Sequence, residues 1–380
     1  VTLRPAAAGT ALLAFLLVLS APGPSRAGEE APKAVDVEAA IRRGVAYLVK
    51  AQNKDGSWGS PASNLWDIYA PVPGSYYAFA VASSALATSA LLEVGAGQPG
   101  VDGAIRKATD YLLEKHAVRR VTTDTLYNTW ALAYALETFA RLLAREKDEA
   151  RRAALGKAAA STVDYLRRYE FVDGGWGYYD FDTHTQTPGP GATSFTTATV
   201  LVALRMAADQ GVDVPKRLTE RGLRLLKACA KPDGSFTYDF DLRFVPQMGV
   251  NKIKGSLART PACLEALADW GEKVAPEKRA QAFENLERYG HFLRIARKYP
   301  IPHETWYQNS GYFCFYGYYY ASRMLERLAP EARPLQQDRI AGHLVPLQEE
   351  DGSWWDYQLY GYHKAYGTGY VLLVLGKCRR

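Results

Sequence analysis

The sequence predicts an all-α protein: a closed double ring of twelve helices, built from six helical hairpins. Three observations predict it. A turn recurs as Asp55-Gly56-Ser57-Trp58, Asp173-Gly174-Gly175-Trp176, Asp233-Gly234-Ser235-Phe236 and Asp351-Gly352-Ser353-Trp354, at spacings of 118, 60 and 118 residues. A unit of about 59 residues therefore runs through the chain with two copies of the turn erased. Each turn follows an amphipathic segment and precedes one that is apolar or small all round, and six such units span about 354 residues. An open helical solenoid is the competing arrangement, but its usual periods are about 34 to 47 residues.

The elements follow from periodicity. In the first outer helix Ile41, Val45, Leu48 and Gln52 form one stripe while Arg42, Arg43 and Lys50 lie off it. Comparable stripes at 105–115, 158–169, 220–230, 277–298 and 338–348 predict the other outer helices. Between them, 76–92, 127–143, 194–207, 257–270, 312–328 and 366–375 carry apolar or small residues on every face, as Trp130-Ala131-Leu132-Ala133-Tyr134-Ala135-Leu136 shows. Burial on more than one side demands that composition, so these form the inner ring.

Residues 1–27 read as an export signal: Arg4, an apolar run over 11–20, a Pro-containing stretch and the small-x-small Ser25-Arg26-Ala27. The run is short for a bilayer span, so the expectation is a single domain over 28–380, periplasmic or extracellular, with no stable membrane anchor after cleavage. The 46 basic and 40 acidic residues are spread along the chain without a basic block, which argues against nucleic acid as a partner. Cys229, Cys263, Cys314 and Cys378 show no metal-binding spacing and read as buried thiols; no metal and no cofactor is expected.

The segment Arg43-Gly44-Val45-Ala46-Tyr47-Leu48-Val49-Lys50-Ala51-Gln52 followed by Gly56-Ser57-Trp58 resembles the glutamine-tryptophan motif of squalene cyclases. Gln348 with Trp354 repeats it, Glu170 with Trp176 departs at the first position, and Ala230 with Phe236 departs at both. The resemblance is to the terpenoid cyclase and protein prenyltransferase superfamily, with its closed (α/α)6 toroid, and it covers everything after residue 27. The motif speaks to fold: glycine permits a left-handed turn, the aromatic packs over a helix end, and Gln satisfies orphan backbone groups.

Squalene-type cyclases protonate an alkene with an acid in an Asp-x-Asp-Asp-Thr-Ala sequence. The local match here is Thr193-Ser194-Phe195-Thr196-Thr197-Ala198, which keeps Thr-Ala and places Thr193, Phe195 and Thr196 where the acids would be. Prenyltransferases use a zinc held by Asp, Cys and His, and no His follows Cys263 or Cys314 at a suitable spacing.

The loops after the turns carry aromatics beside carboxylates, and Tyr-Asp-Phe-Asp occurs at 179–182 and again at 238–241. Asp180, Asp182, His184, Asp239 and Asp241 are the candidates for acid and base work. The same Asp residues also suit turns and helix caps, so both readings stay open. Trp66, Tyr76, Tyr77, Tyr127, Trp130, Tyr178, Tyr238, Trp306, Tyr312, Tyr316, Trp355 and Tyr357 are the candidates for binding. The functions these features allow are an exported toroid taking an apolar or isoprenoid-like small molecule into an aromatic cavity, a carbohydrate-active enzyme binding a glycan through the Asp-bearing loops, and a non-catalytic binding module.

Overall fold

The computed structural model describes residues 35–62, 74–180, 187–299 and 306–379. The expected export signal lies outside the described residues. Outer and inner helices alternate along the chain: α1 (Val37–Ala51) is outer and α2 (Tyr76–Val94) inner, followed in the same order by α3 (Val101–Lys115) and α4 (Asn128–Leu143), α5 (Glu149–Arg168) and α6 (Ser194–Asp209), and α7 (Lys216–Cys229) and α8 (Arg259–Asp269). The fifth outer element is broken into α9 (Pro276–Tyr289) and α10 (His291–Ala296) before the inner α11 (Phe313–Met324). Outer α12 (Arg333–Leu344) and inner α13 (His363–Cys378) complete the chain.

Inner helices pack in sequence, α2 on α4, α4 on α6, α6 on α8, α8 on α11 and α11 on α13, and α13 returns to α2. The ring is closed, and the protein is an all-α toroid. Its inner helices are buried nearly all round, as their composition requires; α2 has the length and apolarity of a membrane span yet is largely buried among its neighbours. All four cysteines are free and buried.

The recurring turn is the device that joins neighbouring units. Gly56, Gly174, Gly234 and Gly352 all have φ between +80° and +92°, the left-handed region that a side chain disfavours. The indole N–H groups of Trp58, Trp176 and Trp354 donate to the carbonyls of Leu48, Leu166 and Leu344 at 2.8, 2.8 and 2.9 Å. Each satisfies a carbonyl near the end of an outer helix that would otherwise lack a partner. The backbone N–H of the same three residues donates to a hydroxyl of the next inner helix, Ser84, Thr197 or Thr368.

Gln supplies the lateral link. Gln52 donates to Gly56 O at 3.1 Å and to Ala104 O of α3 at 2.9 Å, and Gln348 donates to Gly352 O and to Ala40 O of α1, both at 2.9 Å. The second of these closes the outer ring from its last helix to its first. Where Glu170 replaces Gln, Arg221 of α7 pairs with it at 2.6 Å, so an ion pair carries the link.

Two predicted boundaries shift. α5 begins well ahead of the expected start because Asp148 caps it, accepting from Arg151 N at 2.8 Å. The predicted 277–298 helix breaks at Gly290, where a Cβ would lie 2.4 Å from Leu286 O.

The C-terminal ends of the inner helices carry a buried ionic layer. Arg141 bridges Glu93 (3.0 Å) and Glu137 (2.9 Å), and Arg327 meets Glu265 (3.0 Å) and Asp269. Burial opposes the charge on Glu137, but Arg141 and Arg323 outweigh it and hold the carboxyl below its usual range. Guanidinium groups at helix C-termini also suit the helix dipole.

Trp354→Phe keeps the aromatic bulk and strands the Leu344 carbonyl; a loss of about 1–3 kcal/mol is expected in urea unfolding. Gly352→Ala forces a Cβ to 2.6 Å from Arg43 O as well as straining the turn, and should cost more than the 0.5–1 kcal/mol order of a simple glycine effect.

Candidate functional site

On α4 and α13 one face changes character along its length. On α4, Tyr127 at the cap, Trp130 and Tyr134 follow at helical spacing, and Glu137 and Arg141 continue the same stripe into the ionic layer. On α13, Tyr366 and Tyr370 precede Leu373 and Lys377 in the same way. These aromatics line a partly open cavity of about 180 Å³ towards the N-terminal ends of the inner helices. Of the seventeen described residues lining it, thirteen are aromatic and none is charged.

The rings fix one another. Trp130 stacks on Phe195 with centroids 6.0 Å apart, and Tyr316 stands edge-on to both. Such offset and edge-to-face arrangements are the favoured ones for aromatic quadrupoles. The hydroxyls are tied in pairs, Tyr127 with Tyr179, Tyr134 with Tyr370 and Tyr178 with Tyr238, while Tyr316 donates to Phe195 O at 3.0 Å. Burial pushes the Tyr134, Tyr178, Tyr316 and Tyr370 hydroxyls well above their usual range, so all remain neutral. The wall therefore presents neutral aromatic surface to its interior.

Six of the predicted binding residues meet here: Tyr127, Trp130, Tyr178, Tyr312, Tyr316 and Tyr357. Tyr238 stands one layer behind, its ring 5.2 Å from Phe195. The other described candidates lie away from the wall. Tyr77 is 58% exposed because it is two positions from the cavity-facing Phe79 on α2, and Tyr76 leans on it at 4.4 Å. Trp306 is 79% exposed, and Trp355 packs on His363 with the Lys298 ammonium 4.4 Å from its ring centre. Trp66 lies outside the described residues.

Among the described residues, the predicted carboxylates do not meet at this cavity. Asp180 is fully buried and pairs with Arg120 at 3.0 Å. Asp239 accepts from Leu242 N at 2.6 Å, capping the short turn Asp241–Phe244, and burial raises its carboxyl. Asp241 is exposed at the start of that turn. Asp182 and His184 lie outside the described residues. Phe195, at a position where squalene cyclases carry an acid, is part of the cavity wall.

A different carboxyl stands beside the wall. Asp356 has no exposed surface; its Oδ1 lies 2.7 Å from the Tyr366 hydroxyl and its Oδ2 accepts from Phe315 N at 2.9 Å. Burial pushes it up to about 6. The sequence signal for it is the aromatic-carboxylate pair that follows each turn, here Trp355-Asp356.

No known family model matches this chain, and no curated protein matches it in sequence. Solved structures match in fold. They include a D-mannose isomerase (TM-score 0.55, 12% identity, covering 90% of this chain and 95% of that one) and the GH76A α-1,6-mannanase of Salegentibacter sp. HEL1_6 (0.54, 9%, 90% and 99%). The type II terpene cyclase MstE from Scytonema also aligns (0.48, 16%, 90% and 97%) and is too distant to add to the argument. At these identities the likeness is one of fold alone.

Arg120→Ala leaves the buried Asp180 carboxylate without its partner and should cost about 3–5 kcal/mol, with Arg120→Ala/Asp180→Ala recovering part of the loss in a double-mutant cycle. Asp356 gives a second expectation. The folded carboxyl keeps its proton to about pH 6, above the unfolded value of about 3.9, so its support of the folded state is full below about pH 4 and is lost as pH rises through about 6. The loss is about 3 kcal/mol. Urea unfolding of Asp356→Asn across pH 4–8 should lack that decline, leaving the variant more stable than the parent at pH 8.

Proposed function

We propose that this chain is an exported toroid protein that takes an apolar, isoprenoid-like ligand into its aromatic cavity. The observation that carries this reading is the wall itself: thirteen aromatic residues, their hydroxyls largely bonded to one another, and no charge among the described lining residues. Aromatic surface favours hydrocarbon and alkene contact, and the absence of Lys or Arg among the described lining residues disfavours a diphosphate inside. An apolar cavity of about 150 Å³ takes up benzene, so one of about 180 Å³ holds roughly seven heavy atoms, about one isoprene unit and a small head group.

The glycan reading asks for acid and base carboxylates around a groove. Among the described residues the expected pair is absent from the cavity wall, since Asp180 is held by Arg120 and Asp239 by a backbone N–H. A thermal-shift comparison separates the two readings. Short isoprenoid alcohols at about one hundred times their dissociation constant should raise the midpoint by about two degrees or more, while α-1,6-mannose oligosaccharides leave it unmoved. Ala82→Phe, which fills the cavity from α2, should abolish the response. A shift with the oligosaccharides alone would move the site to the loops.

A further inference from the structure

The Tyr366 hydroxyl has more acceptors than hydrogens. It lies 2.7 Å from Asp356 Oδ1 and 2.7 Å from the Tyr357 carbonyl, and it receives the Tyr357 N–H at 3.2 Å. A tyrosine hydroxyl offers one hydrogen and two lone pairs. With Asp356 ionised, two acceptor oxygens share a single hydrogen. With Asp356 neutral, its O–H donates to Tyr366, Tyr366 donates to Tyr357, and Oδ2 still accepts from Phe315 N. Only the neutral acid gives the Tyr366–Asp356 and Tyr366–Tyr357 contacts a hydrogen each, while the Tyr357 N–H is shared with the carboxyl in either state.

We infer that Asp356 in its neutral form, acting through Tyr366, equips the cavity with a hydrogen-bond donor for an apolar ligand bearing one uncharged acceptor oxygen. The inference rests on the cavity being a ligand site. Tyr366 and Tyr357 both line it. When such a ligand enters, Tyr366 turns its hydrogen from the Tyr357 carbonyl to the ligand oxygen, and the Asp356 O–H keeps hold of the tyrosine oxygen. Ionisation reverses the bond: the carboxylate claims the Tyr366 hydrogen and the ligand loses its donor.

The surroundings are consistent with a neutral acid. Arg297, whose guanidinium bonds to Trp355 O at 3.2 Å, and Lys298, paired with Glu349 at 2.6 Å, are the cations at the end of α10. Burial outweighs the Tyr366, Phe315 and Tyr357 hydrogen bonds and Arg297, all of which favour the carboxylate. Cys314 on α11 is pushed up to about 12 and stays a thiol, and Tyr366 on α13 is raised well above its usual range.

The test uses two probes of seven heavy atoms, 4-methylpentan-2-one and its alkene isostere 2,4-dimethyl-1-pentene, titrated calorimetrically at pH 5 and pH 8. Infrared difference spectra follow the carboxyl band over the same range. The parent protein should show a neutral-carboxyl band at pH 5 that Asp356→Asn removes and that fades near pH 6. Its affinity for the ketone should fall about tenfold or more by pH 8, while the alkene binds equally at both. Tyr366→Phe should bind the ketone weakly at either pH. Asp356→Asn, whose amide donates to Tyr366 as the neutral acid does, should keep the low-pH affinity at pH 8. A missing band at pH 5, or ketone binding that ignores pH, overturns the inference and leaves the cavity reading intact. Binding of neither probe at either pH removes the cavity reading, and the donor role with it.

Discussion

The hydrogen bond from the turn indole to the end of the preceding outer helix is the contact on which the rest of the ring depends. It fixes where three of the outer helices, α1, α5 and α12, stop, and the glycine beside it lets the chain reverse without a side chain in the way. The same residue's backbone N–H reaches the next inner helix, so one turn sets outer and inner layers in register. Gln348 then spans to Ala40 and joins the last outer helix to the first. Closure rests on the packing of α13 against α2 and α1, and the Gln348 amide adds a lateral bond at the same seam.

Closure makes the inner helices a barrel with two different ends. At the C-terminal end, guanidinium groups and carboxylates fill the centre, with Tyr319 donating to Glu137 where the two layers meet. At the N-terminal end, large rings stand against one another, and a space of about 180 Å³ is left between them. Flexible aliphatic side chains could close over such a space. Tyrosines with paired hydroxyls cannot do so without breaking buried hydrogen bonds, each costly to leave unmade. The cavity is therefore a consequence of the same residues that stabilise its wall.

The fold was legible in the sequence because a turn with fixed chemistry recurs at a fixed interval. Glycine, tryptophan and glutamine each have a physical role that one sequence suffices to assign. The cavity was legible in part: Tyr127, Trp130 and Tyr316 follow from inner-helix position, whereas Tyr134 and Tyr370 needed the helical stripe to be carried one turn further. Loop aromatics were harder, since nothing in the sequence distinguishes Tyr357, which lines the cavity, from Trp355, which packs outward on His363. Among the carboxylates, repetition drew attention to Asp180 and Asp239. Their partners, Arg120 and the Leu242 N–H, are set by loop geometry that no spacing rule supplies. Asp356 shares the aromatic-carboxylate signal with three other loops and is singled out by its burial and the two acceptors around Tyr366.

The central claim is that the hollow end of the ring is an apolar ligand site. A crystal structure of the protein soaked with a short brominated isoprenoid, read by anomalous scattering from bromine, tests it most directly. The account predicts a bromine peak enclosed by Trp130, Phe195 and Tyr316, with the surrounding rings unmoved. A cavity closed by its own side chains, or bromine found only among the Asp-bearing loops, would contradict it.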